Sequence, residues 1–192
     1  MTLTEIEVTL RNGEPLTASQ GELLRTSAKD SNVDLASKAL QLLHTYPTLC
    51  HVREADVPWL ETAADREDDA HIAANALSLL CDWLGQGQVQ LPRLLRALAS
   101  NTEGGDFLCI TACSLSGQLL HSKPNSVLAH RLWSVFGDQD RPSGTREAAR
   151  DALLVASGMS PKDIVQAERN RAIDLWKRAS DAAIALLSGP NQ

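Results

Sequence analysis

The chain contains one stretch twice: residues 35–46 read LASKALQLLHTY, and residues 72–83, which begin 37 positions later, read IAANALSLLCDW. The apolar positions recur in register at Leu35/Ile72, Ala36/Ala73, Ala39/Ala76, Leu40/Leu77, Leu42/Leu79, Leu43/Leu80 and Tyr46/Trp83. Steps of three and four residues between apolar positions are typical of one face of an α-helix. Self-similarity at such a period indicates stacked helical repeats. We therefore predict a helical array whose core includes Leu40, Leu43, Leu77 and Leu80.

The composition also favours helices over sheets. Of the 192 residues, 43% are hydrophobic but only 4% are aromatic, and Leu and Ala dominate the apolar set. Strands would instead be rich in Val, Ile, Thr and aromatic residues. A chain of this length removes roughly 70% of its unfolded surface from water, which is enough for a large core. The prediction is an all-α fold in a single domain, residues 1–192.

The two ends of the chain have their own patterns. Residues 1–15 are predicted as a short extended arm, because apolar and polar residues alternate up to the turn-forming pair Asn12-Gly13. Residues 161–188 are predicted as one long capping helix, which follows Ser160 as N-cap and ends before Gly189-Pro190. Between them, residues 17–160 are predicted as helix pairs. Prolines introduce the second helices, at Pro58, Pro92, Pro124 and Pro161.

This repetition resembles the α-solenoids of the HEAT and armadillo type over roughly residues 30–160. The resemblance implies a right-handed stack of antiparallel helix pairs whose concave side binds a protein or peptide. The third copy departs from the pattern, since it has Ser114, Gly117 and Gln118 where Ala and Leu are expected. An irregular helical bundle is therefore the alternative fold.

The charge is unevenly distributed along the sequence. Residues 1–96 hold 8 basic and 14 acidic side chains, whereas residues 97–192 hold 10 of each. The acids are densest between residues 54 and 82, and Arg66 is the only Lys or Arg in that range. Such a segment repels nucleic acid and attracts a basic partner. The predicted partner-binding residues are Asp56, Trp59, Glu61, Asp65, Glu67, Asp68 and Asp69, although acids at the start of a helix also cap free N–H groups.

Other chemistry has weaker signals in the sequence. Cys50-His51 resembles a thiol and imidazole pair, but no oxyanion-hole motif accompanies it. Cys109 and Cys113 lie one helical turn apart, yet they lack the CxxC or HxxxH spacing of a zinc site, and buried core thiols explain them better. We predict no metal and no cofactor. The four tryptophans fall on apolar stripes and are expected in the core, with Trp59 as the exception.

The amino terminus and the cysteines bear on the compartment. Glu5 and Glu7 stand where a secretory signal has Lys or Arg, and no apolar run approaches the roughly 18 residues of a membrane span. The cysteines lack the dense spacing of secreted scaffolds, which indicates reduced thiols. These features predict a cytoplasmic protein that does not contact a membrane.

Together, these patterns predict a non-enzymatic protein-binding module. The most concrete hypothesis is an immunity or adaptor protein that neutralises a basic partner, such as a toxin domain, through an acidic face. The alternative is an enzyme on a helical-repeat scaffold that uses Cys50 and His51 or the acids of residues 65–69. Nucleic-acid binding is disfavoured by the net charge of −6 and by the acids interleaved with the arginines of the last third.

Overall fold

A computed structural model describes residues 1–100, 106–170 and 174–188, and within them every regular element is helical. The prediction of an all-α fold is confirmed. The helices fall into two compact units, residues 1–86 and residues 87–192. In the first unit, hereafter unit 1, the elements are α1 (Leu3–Arg11), α2 (Ala18–Ala28), α3 (Val33–Thr45), a 3₁₀ turn (Glu54–Asp56), α4 (Val57–Ala64), α5 (Ala70–Ser78) and a π-helical turn (Leu79–Trp83) that continues α5.

The two copies of the repeated stretch become neighbouring helices of unit 1. The first copy lies in α3, and the second lies in α5 and its π-helical continuation. Helix α3 packs against α2 and α5, and α5 also packs against α4. The predicted core residues of both copies are buried, since none of the four exceeds 2% exposure: Leu40, Leu43, Leu77 and Leu80. Repetition in the sequence thus marks the helices that share the core of this unit.

The predicted extended arm is wrong, because residues 3–11 form the helix α1. A capping box starts this helix: Thr2 Oγ1 accepts from the Glu5 N–H, and the Glu5 carboxylate accepts from the Thr2 N–H at 2.7 Å. The alternation that indicated a strand also places two apolar residues one helical turn apart. Ile6 and Leu10 are buried, whereas Val8 between them is 55% exposed.

The turn-forming pair after α1 ends the helix instead of reversing a strand. Gly13 has φ +77°, a conformation in which a side chain would be strained. Its N–H donates to the Leu10 carbonyl at 3.0 Å, and the Glu14 N–H donates to the Thr9 carbonyl at 3.2 Å. These two bonds are those of a Schellman motif.

The second unit, hereafter unit 2, is built around a central helix, α9. This helix packs against α7, α8, α10 and α11, and α6 packs against α7 and α8. Buried Leu and Ala side chains from all six helices form the interior. The helices are α6 (Leu91–Ala99), α7 (Asp106–Ser122), α8 (Ser126–Gly137), α9 (Ser143–Ala156), α10 (Pro161–Asn170) and α11 (Leu175–Ser188).

Helices α7 and α9 approach each other so closely that one position requires glycine. A Cβ atom on Gly117 would lie 2.7 Å from the carbonyl oxygen of Ala152 and 2.8 Å from its Cα. Neither atom can move without displacing the backbone of α9. The departure of residue 117 from the repeat pattern therefore has a packing cause, which is the contact of two main chains.

The single helix predicted over residues 161–188 is also wrong. Residues 171–173 lie outside the described residues, but Asp174 is non-helical and starts a new helix. Its carboxylate accepts from the Lys177 N–H at 3.0 Å, which is the bond of an N-cap. The predicted start is confirmed, since Ser160 Oγ accepts from the Asp163 N–H at 3.2 Å.

One arginine completes the end of α6. Arg141 Nη2 donates to the Leu98 carbonyl at 3.2 Å, and its Nη1 donates to the Ser100 carbonyl at 3.0 Å. Nη1 also lies 3.3 Å from the sulfur of Cys109, and Asp138 accepts from Nε. In the sequence Arg141 is one of the arginines of the last third that alternate with acids, but in the structure its guanidinium contacts residues 32 to 43 positions earlier in the chain.

Candidate functional site

The predicted partner-binding residues of unit 1 surround α4. Asp56 precedes this helix, Trp59 and Glu61 belong to it, and the four acids of residues 65–69 lie between it and the first turn of α5. Pro58 occupies the first turn of α4, where its missing N–H leaves no bond unmade. The seven residues are therefore close along the chain, but their environments differ sharply.

Asp56 is a buried acceptor, with 4% of its surface exposed. Arg25 makes a two-pronged ion pair with it, from Nε to Oδ1 at 2.7 Å and from Nη2 to Oδ2 at 3.0 Å. Trp59 Nε1 donates to Oδ1 at 3.0 Å, and the Arg53 N–H donates to Oδ2 at 3.1 Å. Four donors thus converge on this carboxylate from within the chain, and they hold the start of α4 against α2.

The protonation state of Asp56 follows from these contacts. Burial raises the pKa of its carboxyl, but the hydrogen bonds from Arg25, Trp59 and the Arg53 backbone lower it by more. The net pKa lies below the ordinary value for Asp. Asp56 is therefore an ionised partner of Arg25 in the folded chain and contributes to stability.

Two acids of the connection between α4 and α5 are also engaged locally. Asp68 forms a two-pronged ion pair with Arg66, at 2.9 and 2.6 Å. Arg66 also donates to the Asp30 carbonyl at 3.3 Å, which ties the connection to the end of α2. Asp69 caps α5, since its Oδ1 accepts from the backbone N–H groups of His71 and Ile72 at 2.7 and 2.9 Å.

The remaining predicted residues face solvent to different degrees. Trp59 is half-buried beside Asp56, and the Lys29 ammonium lies 5.5 Å from the centroid of its ring. Glu61 is half-buried on α4, whereas Asp65 and Glu67 are exposed. The exposed acidic surface of this region is therefore smaller than the sequence suggests, and it centres on the connection between α4 and α5.

The acidic excess falls entirely within unit 1 when the chain is divided at the boundary between the two units. Unit 1 carries 6 Lys and Arg residues against 14 Asp and Glu residues, a formal net charge of −8. Unit 2 carries 12 against 10, a net charge of +2. The two units therefore differ in the sign of the partner that each attracts.

The Cys50 and His51 pair lacks the features of an activated nucleophile. Cys50 is fully buried, and burial raises the pKa of its thiol to about 12. Its sulfur lies 3.9 Å from the Leu42 carbonyl, and His51 is exposed with φ +53°. A thiol with so high a pKa is almost entirely protonated at neutral pH, and the thiolate is the nucleophile.

The other thiols lie apart from any ligand set. All four cysteines belong to the described residues and are free, and Cys109 and Cys113 are buried on α7. A hydrogen bond from Cys113 lowers the pKa of Cys109, and the nearby Arg141 charge acts in the same direction. Within residues 1–100, 106–170 and 174–188, no group of three or more His, Cys, Asp or Glu side chains is placed to hold a metal ion.

The sequence missed two features of this surface. The predicted core position of Trp83 is wrong, since the residue is 44% exposed and its Nε1 donates to the Val52 carbonyl at 3.0 Å. Arg25 was not singled out, because it lies 31 positions from the carboxylate that it pairs with. A buried carboxylate needs a cation as its partner. The apolar residues next to Asp56 in the sequence could have indicated that its carboxylate is buried and therefore paired.

No helix of the described residues is long and apolar enough to cross a membrane. Comparison of the chain with protein-family models, curated proteins and solved structures found no match.

Proposed function

We propose that unit 1 is a docking module for a basic protein. The observation that carries this proposal is the confinement of the acidic excess to one compact unit with a net charge of −8. Charge of one sign on a folded surface accelerates the encounter with a partner of opposite sign and disfavours other partners. The negative charge of unit 1 attracts a basic protein as long as the salt concentration is too low to screen that attraction.

The connection between α4 and α5 supports this role because it is held in place before binding. The ion pair of Arg66 with Asp68, the bond from Arg66 to the Asp30 carbonyl and the cap by Asp69 fix its backbone. Glu67 is exposed in the middle of this anchored segment. A partner that binds Glu67 does not first have to order the segment, so less binding energy is lost to conformational entropy.

The most concrete form of the proposal is an immunity or adaptor protein in the cytoplasm that neutralises a basic partner such as a toxin domain. Such a protein would work as a non-enzymatic competitor for the surface that the toxin uses. The fold proposed for it is a HEAT-like, right-handed stack in which α3 and α5 occupy equivalent positions. Support for this comes from the packing of α3 on α5 and from their shared sequence pattern.

The test is a binding measurement with the charge reversed at one exposed position. A basic protein that copurifies with the chain from its host is produced separately, and its Kd is measured for the wild type and for Glu67→Lys. The matched control is Glu14→Lys, which makes the same charge change at an exposed position of the same unit. A loss of affinity confined to Glu67→Lys is expected at about 0.1 M salt, and it should shrink as salt screens the charges.

Equal affinities of Glu67→Lys and Glu14→Lys would contradict a role for the connection between α4 and α5. If neither variant differs from the wild type, the acidic surface of unit 1 is not the binding surface. Asp56 and Asp69 are excluded from this test because both have structural bonds.

A further inference from the structure

Unit 2 carries an aromatic cluster that reaches its surface. The rings of Trp133 and Phe136 on α8 stack with their centroids 5.3 Å apart, and Phe136 stacks on Trp176 of α11 at 5.2 Å. Phe136 is buried, whereas Trp176 is 36% exposed. The cluster therefore presents one large aromatic ring to solvent from a fixed position. Stacked rings have little freedom to lose on binding, and Trp is enriched among the residues that dominate binding energy.

Two arginines of α9 lie over this exposed ring. The guanidinium carbon of Arg146 is 5.3 Å from the centroid of Trp176, and that of Arg150, one turn later, is 5.5 Å away. Both distances are within the range in which a cation is attracted to the face of an aromatic ring. The ring and the two cations therefore hold one another in place.

The two arginines differ in their partners. Arg150 is buried and satisfied, since its Nε pairs with Asp151 at 2.8 Å and its Nη2 pairs with Glu168 at 3.1 Å. Arg146 has no such carboxylate among the described residues, and its Nε is buried without a hydrogen-bond partner. A buried N–H that bonds to nothing is destabilising, because it has lost its hydrogen bonds to water without replacing them. The contrast within one helix identifies Arg146 as the guanidinium that can meet an outside partner, through its terminal Nη groups and not through the enclosed Nε.

The geometry of a guanidinium explains why the contact with Trp176 does not use those donors. All five N–H bonds of arginine lie in the plane of the group, whereas a ring attracts a cation through the face of the ring. The aromatic contact therefore fixes Arg146 without accepting hydrogen bonds from it. A planar fork of donors that is held in this way matches the two oxygens of a carboxylate.

We propose that Arg146 and Trp176 form a docking site for an acidic segment of a partner protein. Arg146 receives a carboxylate of the segment, and Trp176 contacts the adjoining apolar atoms. Unit 2 has a net charge of +2 and does not repel an acidic segment, whereas unit 1, with a net charge of −8, does.

The site is tested with fluorescein-labelled hexaglutamate as the probe, its binding to the full chain followed by anisotropy. Saturable binding is expected for the wild type, with about a tenfold loss for Arg146→Gln, which corresponds to about 1.4 kcal/mol from the lost charge-assisted hydrogen bond. Arg146→Lys keeps the charge but lacks the planar fork, so an intermediate loss is expected. The matched control is Arg131→Gln, an exposed arginine on α8, which should bind within about twofold of the wild type.

Circular dichroism establishes that each variant is folded before binding is compared. Three results would overturn the proposal: no saturable binding of hexaglutamate, equal losses for Arg146→Gln and Arg131→Gln, or displacement of the probe by inorganic phosphate at the concentration at which free glutamate displaces it. Failure of this test leaves the proposal for unit 1 standing, because that proposal concerns a different unit, a different charge and a different probe.

Discussion

Substituting Asp56 with alanine removes the carboxylate on which four donors converge. Arg25 and Trp59 lose their acceptor, and Arg25 is left as a cation whose side chain is only 14% exposed. Breaking a buried ion pair from one side typically costs about 3–5 kcal/mol. Arg25 keeps the carbonyls of Cys50 and His51 as acceptors, which compensates part of the loss. We therefore expect Asp56→Ala to lower the free energy of unfolding by about 3 kcal/mol, at the lower end of that range.

The assay is urea unfolding, followed by circular dichroism at 222 nm and by tryptophan fluorescence. The control is Glu54→Ala, which removes an exposed acid from the same 3₁₀ turn and should change the stability by less than about 0.5 kcal/mol. A cost below about 1 kcal/mol for Asp56→Ala would refute the reasoning, because it would mean that water replaces the carboxylate without penalty.

The same carboxylate predicts a dependence of stability on pH. The folded-state pKa of Asp56 is depressed below the unfolded value of about 3.9, so the unfolded chain binds the proton more readily. The contribution of Asp56 is therefore complete above about pH 4–5 and is lost as the pH falls through the folded-state pKa. The wild type should lose stability over this acidic interval more steeply than Asp56→Ala, as measured by urea midpoints between about pH 5 and pH 2.

Three further variants or reactions test other parts of the structure. Gly117→Ala should lower the free energy of unfolding by about 1–3 kcal/mol, because its Cβ would overlap the α9 backbone, whereas Gly144→Ala, with open space around it, should cost nothing measurable by urea unfolding. Asp69→Ala should cost about 1 kcal/mol in the same assay through loss of the α5 cap, and Asp69→Asn should recover most of it. Cys50 is fully buried and its thiol pKa is raised to about 12, so it should resist iodoacetamide at neutral pH in the folded chain and react once urea unfolds the chain; mass spectrometry that finds Cys50 labelled without denaturant as fast as in urea would contradict this.

Local patterns in the sequence predicted the parts of the fold that depend on neighbours along the chain. The predicted Ser160 cap of α10 is present. The buried faces of α3 and α5 followed from the spacing of their Leu and Ala residues. Each of these features involves residues within a few positions of one another, where helix geometry alone determines the contacts.

The errors arose where two structures share one local pattern. Ile6 and Leu10 satisfy both the alternation of a strand and the four-residue step of a helix, so only the Thr2 and Glu5 cap distinguishes the two. The continuous apolar stripe after Ser160 did not reveal that Asp174 caps a new helix. At such positions a capping residue is more informative than hydrophobic spacing.

The candidate site was less predictable because its contacts are long-range. Asp56 resembles Glu67 in the sequence, yet the first is buried on Arg25 and the second is exposed. The contact of Arg146 with Trp176 joins residues 30 positions apart on different helices. Neither pairing has a signature in the spacing of residues, since each depends on how the helices pack.

The contacts of Arg141 determine when the end of α6 is completed during folding. The carbonyls of Leu98 and Ser100 receive their bonds from a residue 43 and 41 positions later in the chain. Closing such a loop costs entropy before the bonds can compensate for it, so we expect these bonds to form late in folding. Arg141→Met should then speed unfolding while leaving the folding rate nearly unchanged, which places Arg141 at a φ-value near zero. If this expectation holds, the helix that begins unit 2 gains its last hydrogen bonds only when the chain as far as Arg141 has come together.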